Sequence, residues 1–529
     1  NWVWENTLSY TTIIKDVHNL SAIAGWTAQK ESVNTSLLAG NGYPNDLVHT
    51  MNAASAITSW SATAYEWSLL SALARVQYSY KGKYLLSAAA RMDGSSRFGK
   101  NNRWGMFPSA SAGWYISEED FMKDIKWLTS LKLRASYGIS GNFNIGNYEY
   151  YATLSEDNYV FGKADGTLAS GLRPATAGNP DLGWEKTAMF NLGLEIGLFN
   201  MLTLELDLYN SNTTDMLLNV PVAEFSGFST VPMNIGKVNN KGVEFAISTT
   251  NTWGDFTWNN RFNISANRNE VKDLGGVDEM ITTSESVTFI TKVGEPIGNY
   301  YTLVTDGVFA NQAEIDNSKN PDKSQRKYAY VSGAKPGDFR FKDMDGNMEI
   351  DENDRTITGN YMPKFTYGFS TELKYKWFDL SIALQGVQGN KIANIFRRYI
   401  DNMEGGNNCQ VDALDRWQSE SNPGSGYVVR ANRSATGMNG TTSTWHIEDG
   451  SYMRIKNITF GYTLPKSLLT NVGISRARVY FSTQNPFTFT KYSGYNPEVN
   501  MKGGSLTPGI DYGTYPLSKS FVFGLNVTF

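Results

Sequence analysis

The residues best placed for chemistry by type and spacing are Asp343-Met344-Asp345-Gly346-Asn347-Met348-Glu349-Ile350-Asp351-Glu352-Asn353-Asp354. Side-chain oxygens at the first, third, fifth and twelfth positions, with an apolar residue at the eighth, follow the pattern of a calcium loop. A hard cation takes about six to eight oxygens, and Asp343, Asp345, Asn347, Asp354 and the Glu349 carbonyl would begin to supply them. Two departures stand out. Met348 occupies the sixth position, where a sharp turn favours glycine, and the shorter Asp354 replaces glutamate at the twelfth. A calcium ion held there would be structural. The competing reading is an Asp/Asn-rich turn in a long surface loop.

No other constellation is as specific. His18, His49 and His446 are the only histidines and are widely separated, so each is expected to be a lone surface side chain and not a zinc ligand. Glu118-Glu119-Asp120 reads as the cap of a short helix from Glu118 to Met122. No Gly-Xaa-Ser-Xaa-Gly elbow, phosphate-binding loop or dinucleotide fingerprint occurs, and the chain is not read as an enzyme. Aromatic rings beside expected loops could stack on sugars, and Trp104, Tyr148, Tyr150 and Trp184 are the candidates for substrate binding. Phe98, Tyr151, Tyr300 and Tyr301 belong to the same set; the alternative is that such rings pin the loops down.

These residues must be carried by strands. The chain has 529 residues, 13 % of them aromatic and only 19 % charged, with 49 glycines, a balance that suits short strands, turns and interfacial girdles. A net charge of -4 gives no footprint for nucleic acid. Cys409 is the only cysteine, which excludes an intrachain disulfide framework. No run of about 18 apolar residues exists to form a membrane-spanning helix.

Period-two alternation recurs instead. Leu131, Leu133, Ala135, Tyr137 and Ile139 interleave with Lys132, Arg134, Ser136 and Gly138; Leu202, Leu204, Leu206 and Leu208 interleave with Thr203, Glu205, Asp207 and Tyr209. Met453 and Ile455, then Ile458, Phe460 and Tyr462, slip by one position at Lys456-Asn457, which reads as a β-bulge. The polar faces carry full charges such as Glu195, Glu205, Asp207, Glu244 and Arg261, better suited to a wet lumen than to a packed core. Short turns alternate with long segments, roughly 32–62, 140–184, 217–238, 271–362, 390–450 and 486–517. Membrane barrels sort their connections this way and soluble sandwiches do not. The expectation is an all-β transmembrane antiparallel barrel with about fifteen strands in this chain, closed by Phe521 to Phe529. An even strand number is usual, so the chain reads as the C-terminal part of a larger barrel. Phe529 would be its assembly signature.

Five segments carry a resemblance: Arg91-Met92-Asp93-Gly94-Ser95-Ser96-Arg97-Phe98-Gly99, Leu131-Lys132-Leu133-Arg134-Ala135-Ser136-Tyr137-Gly138, Asn179-Pro180-Asp181-Leu182-Gly183-Trp184-Glu185, Asn239-Asn240-Lys241-Gly242-Val243-Glu244 and Arg454-Ile455-Lys456-Asn457-Ile458-Thr459-Phe460-Gly461-Tyr462. They span nearly the whole chain and resemble the SusC/RagA-like TonB-dependent transporters of Bacteroidota outer membranes. The resemblance implies a twenty-two-stranded plugged barrel in the outer membrane, a SusD-like lipoprotein lid, and energisation by TonB with ExbB and ExbD. The plug, the TonB box and the first strands would lie outside this chain. The implied function is nutrient import, with glycan oligosaccharides as first substrate class and oligopeptides as second. A passive porin or structural barrel is the alternative from another class.

Overall fold

The computed structural model describes residues 1–48, 50–162, 166–401, 403, 407–434, 436–469 and 473–529, which leaves His49 outside the described residues. Fifteen long strands form one sheet: β1 (Trp2–Ile14), β2 (His18–Asn41), β3 (Ala56–Tyr80), β4 (Tyr84–Ser95), β5 (Trp104–Tyr115), β6 (Leu128–Asn142), β7 (Glu185–Leu198), β8 (Leu202–Thr214), β9 (Lys237–Trp253), β10 (Phe256–Asp273), β11 (Phe365–Tyr375), β12 (Phe378–Gln388), β13 (Tyr452–Thr463), β14 (Arg476–Thr490) and β15 (Ser520–Thr528). They follow one another in chain order from β1 to β15, the up-and-down order of a barrel wall. Fifteen strands is the number expected from the alternation. The tight turns are made by residues with positive φ, among them Lys15 (51°), Asp16 (57°), Asn200 (56°) and Lys376 (51°).

The chain divides into two compact units. In the first, β5 presents Trp104, Met106, Pro108, Ala110, Ala112 and Trp114 on one face, and Gly105, Phe107, Ser109, Ser111 and Gly113 on the other. Its partner β4 places Gly94 opposite Trp104, Met92 opposite Met106, Ala88 opposite Ala110 and Tyr84 opposite Trp114, so the apolar row is shared across the ladder. Ten residues separate the two tryptophans. At ~3.3 Å per residue and a tilt of ~40° they bracket ~25 Å, the height of a hydrocarbon band. At the short-turn end, Tyr84 stacks on Trp114 (6.4 Å) and Tyr80 on Tyr84 (6.3 Å). Phe107 of β5 joins Phe98, Leu182 and Trp184 of the long-loop end in a small buried core.

In the second unit, Trp253 stacks on Phe256, while Trp127 packs at a tilt on Phe199 and Phe378 on Tyr462, again at the short-turn ends, as an aromatic girdle requires. The bulge at Lys456-Asn457 is present: Ile455 pairs with Leu384 and Asn457 with Ala383, leaving Lys456 unpaired in the register. Segments 274–364, 389–451 and 491–519 are connections only in topology. They fold into a layer with a core of Leu303, Phe309, Ile315, Phe339, Phe341 and Val429, and a second core around Phe289, Tyr300, Ile395 and Ile510. A four-stranded sheet of Glu279–Ser284, Val287–Lys292, Asn299–Thr302 and Thr356–Asn360 frames it.

Several sequence expectations need correction. The expected loop 32–62 is mostly strand: β2 and β3 pair from His18↔Tyr80 to Asn41↔Ala56 with one register shift at Ala39/Gly40, and only 42–55 connects them. A strand needs only about 9–11 residues to cross a bilayer, so the ribbon continues into water, where apolar residues such as Leu37 and Leu38 fall on both faces and alternation no longer marks it. Segment 486–517 contracts to 491–519, because β14 runs on to Thr490. Asp93 to Asn102 reads as loop from its Gly, Ser and Asn content, yet Asp93 to Ser95 belong to β4, with Asp93 buried and ion-paired to Arg91 (2.7 Å). The helix expected over 118–122 is two single 3-10 turns, Ile116–Glu118 and Asp120–Met122. Glu119 caps neither with its side chain, because its carboxylate is committed elsewhere. It accepts hydrogen bonds from the Tyr84 hydroxyl (2.6 Å) and Trp114 Nε1 (3.1 Å), and pairs with Lys83 (3.3 Å).

Candidate functional site

Three features could bind something: the acidic loop, a pocket under Trp104, and the polar face of the strands. In the loop, ligand oxygens of Asp343, Asp345 and Asp354 lie within 4.8 Å of one another. Asp343 accepts from the backbone N–H groups of Gly346 and Met348 (both 2.8 Å), and Asp354 from those of Met344 (2.7 Å) and Asp351 (2.8 Å). Burial opposes the Asp343 charge, yet the N–H groups of Met348 and Gly346 outweigh it and hold the carboxyl below the usual range. Met348 adopts φ 63°, so the sharp turn that glycine would make at the sixth position is made by a methionine. Asn347 aims its amide nitrogen at Asp345 Oδ2 (2.9 Å), and the Glu349 carboxylate pairs with Lys323 (3.0 Å), leaving only its carbonyl for a cation. The donor set of three converging carboxylates fits a hard, oxygen-seeking ion.

The second feature gathers two of the aromatic candidates. Trp104 and Trp184 both line a cavity of about 230 Å³, with Asn102, Asp181, Lys186 and Asn234 in its wall. Trp104 is 48 % exposed, and it lies on bare backbone: a Cβ built on Gly94 would meet three successive carbons of its benzenoid ring at 2.7–2.8 Å. A point equidistant from three ring carbons lies on the ring axis, so the indole lies flat over Gly94. Trp184 is different. It is 5 % exposed, with Phe98, Phe107 and Phe143 at 5.2–5.5 Å and its Nε1 donating to the Arg103 carbonyl (3.0 Å). A ring so enclosed offers a cavity wall and no open face, which removes it as a stacking platform.

The remaining candidates are dispersed. Tyr148 has φ 68° and its hydroxyl accepts from the Glu66 N–H (3.0 Å). Tyr150 packs on Tyr151 (4.1 Å) beside the Phe98 core. Phe98 and Tyr300 are fully buried core residues, not sugar platforms. The Tyr300 hydroxyl lies 2.9 Å from the Gly509 carbonyl and 3.2 Å from those of Pro508 and Lys391. Phe529 is exposed beyond the last pair of β15, Arg476↔Thr528. Sequence reasoning missed Gly94, Lys186 and Asn234; only the register Gly94↔Trp104 reveals why a glycine stands there.

The third feature is the polar face of β12 to β15. Arg478 crosses bare backbone at Gly461 to donate to Asp379 (2.9 Å), and Asn457, Thr459 and Ser482 bond one another at 2.8–3.1 Å. Asp379 and Arg478 pair with each other, and the cluster beside them is hydroxyl and amide.

The family model described as TonB dependent receptor-like, beta-barrel, matches residues 2–485. TonB-dependent receptor P3 of Formosa agariphila is 35 % identical over 545 residues, covering 100 % of this chain and 52 % of that protein. TonB-dependent receptor SusC of Bacteroides thetaiotaomicron is 33 % identical over 484 residues, covering 89 % of this chain and 44 % of that protein. The chain thus spans about half the length of the curated relatives it matches. Among solved structures, the RagAB peptide transporter superposes with a TM-score of 0.81 at 28 % identity, over 100 % of this chain and 55 % of that one. With its alternating strands, aromatic girdles and folded outer loops, the chain belongs to the TonB-dependent receptor β-barrel family, as a SusC/RagA-like protein of the bacterial outer membrane.

Proposed function

We propose that the chain supplies barrel wall and outer loops to an importer of glycan oligosaccharides. A SusD-like surface lipoprotein works as its lid, and TonB with ExbB and ExbD supplies the energy. The observation that carries the substrate class is the lumen patch of Asn457, Thr459 and Ser482 beside the Asp379–Arg478 pair. Amide and hydroxyl groups beside an ion pair that neutralises itself suit a neutral polyhydroxylated solute, whose many hydroxyls each need a partner once desolvated. Oligopeptides are the second reading, favoured by the likeness to a peptide transporter. The test is purification of the full-length receptor from its native membrane in mild detergent, with mass analysis of the lipoprotein and small molecules retained. A carbohydrate held between receptor and lipoprotein supports the proposal; a peptide there selects the second reading, and recovery of the barrel alone refutes the lid.

We also propose that the loop Asp343 to Asp354 holds a structural Ca²⁺. The support is the convergence of three carboxylates within 4.8 Å. Chelator, or Asp343→Ala with Asp345→Ala, is expected to expose 338–356 to protease while the strands stay folded. Unchanged cleavage in chelator refutes the ion.

A further inference from the structure

We infer that the cavity under Trp104 binds the neutral sugar headgroup of an outer-leaflet glycolipid. The inference rests on the outer-membrane placement and is independent of what the lumen transports. Its first support is location. Trp104 heads the apolar row that ends at Trp114, and Lys186 heads the corresponding row of β7, Lys186, Ala188, Phe190 and Leu192. The row is as tall as the hydrocarbon band, so its long-loop end lies at headgroup level, on the lipid side of the wall.

The second support is shape. The indole lies flat on Gly94, is about half exposed and lines the cavity, an arrangement suited to the apolar face of a pyranose. The cavity of about 230 Å³ has the volume of about seven or eight waters at ~30 Å³ each, room for one sugar ring. The third support is a rim that is already fixed. Asn102 Nδ2 donates to the Asp181 carbonyl (2.6 Å); the Gly183 N–H donates to Asn234 Oδ1 (2.7 Å); and Asn234 Nδ2 donates to the carbonyls of Gly183 (2.8 Å) and Asp215 (2.9 Å). Little ordering remains to be done on binding.

Charge selects the headgroup class. Lys186 faces Asp215 at 3.7 Å, and Asp181 adds a second carboxylate to the same rim. A rim with two aspartates and one lysine disfavours a phosphate or sulfate, whereas its carboxylates accept from sugar hydroxyls and the Lys186 ammonium donates to them.

The experiment uses the full-length receptor, purified and delipidated in detergent, and native mass spectrometry with three probes. These are monoglucosyl diacylglycerol, phosphatidylethanolamine with the same acyl chains, and free methyl glucoside. The expected result is at least tenfold greater retention of the glucosyl lipid than of phosphatidylethanolamine, falling about tenfold in Trp104→Ala, the loss that ~1.4 kcal/mol would give. Asp181→Ala, a change at an exposed side chain, is the second variant, expected to lower retention severalfold should Trp104→Ala fail to assemble. Equal retention of the two lipids, retention undiminished by either assembled variant, or methyl glucoside held as tightly as the lipid overturns the inference.

Discussion

His446 makes the loop layer of the second unit sensitive to acid. Against the expectation of a surface side chain, its imidazole is only 1 % exposed, and the Ser443 N–H donates to its Nδ1 (3.3 Å), which requires that nitrogen to be unprotonated. Burial is the main cause that lowers its pKa to about 3, with the Arg397 and Arg398 guanidiniums adding to it. A free histidine titrates near ~6.5. The folded value is depressed, so below pH 6.5 the unfolded segment binds a proton that the folded one refuses, and stability falls with pH until the folded ring titrates. Linkage between these two values gives a loss of about 2 kcal/mol at pH 5 and about 3 kcal/mol at pH 4, relative to pH 7.5. Asp401 works in the opposite direction: burial raises its pKa, against the pull of Arg397 2.6 Å away, so acid relieves its charge. His446→Gln therefore isolates the histidine. The assay is amide hydrogen exchange over 389–451, corrected for the intrinsic pH dependence. Protection should drop about thirtyfold between pH 7.5 and 5 in the parent, and clearly less in His446→Gln. Equal drops in the two proteins would refute a buried neutral imidazole.

Tyr300→Phe removes the hydroxyl that meets carbonyls from two other segments, and should cost the loop layer about 1–2 kcal/mol, read as faster proteolysis of 274–364 with the strands intact. Met348→Gly should stabilise the acidic loop by about 1 kcal/mol, because the left-handed turn at φ 63° no longer carries a Cβ; slower exchange in 343–354 is the readout.

Much of the wall was legible, because a lipid face opposite a wet face forces period-two alternation. Even the slip at Lys456-Asn457 left its trace, since a bulge exchanges faces. The overhanging parts of β2 and β3 were not legible: Ser32 to Ser36 pair with residues 62–66 in water, where no face is selected. Nor was the loop layer, whose partners are far apart in sequence. Tyr300 meets Gly509 and Phe339 meets Asn439 (2.7 Å) with no local pattern to announce them. The acidic loop was legible as spacing, but only coordinates show Met348 taking the glycine conformation. The Trp104 cavity draws on β4, β5, β7 and the 143–184 and 215–236 segments, so no single stretch encodes it.

The Tyr300 hydroxyl, set among carbonyls of Lys391, Pro508 and Gly509, binds the three long segments of the second unit into one body. Such a body is not modular. A single segment exchanged for that of a homologue would arrive with half of someone else's core and leave carbonyls without their donor. Successful chimaeras should require 274–364, 389–451 and 491–519 to be transplanted together. Natural drift in substrate preference should likewise proceed through concerted changes on all three.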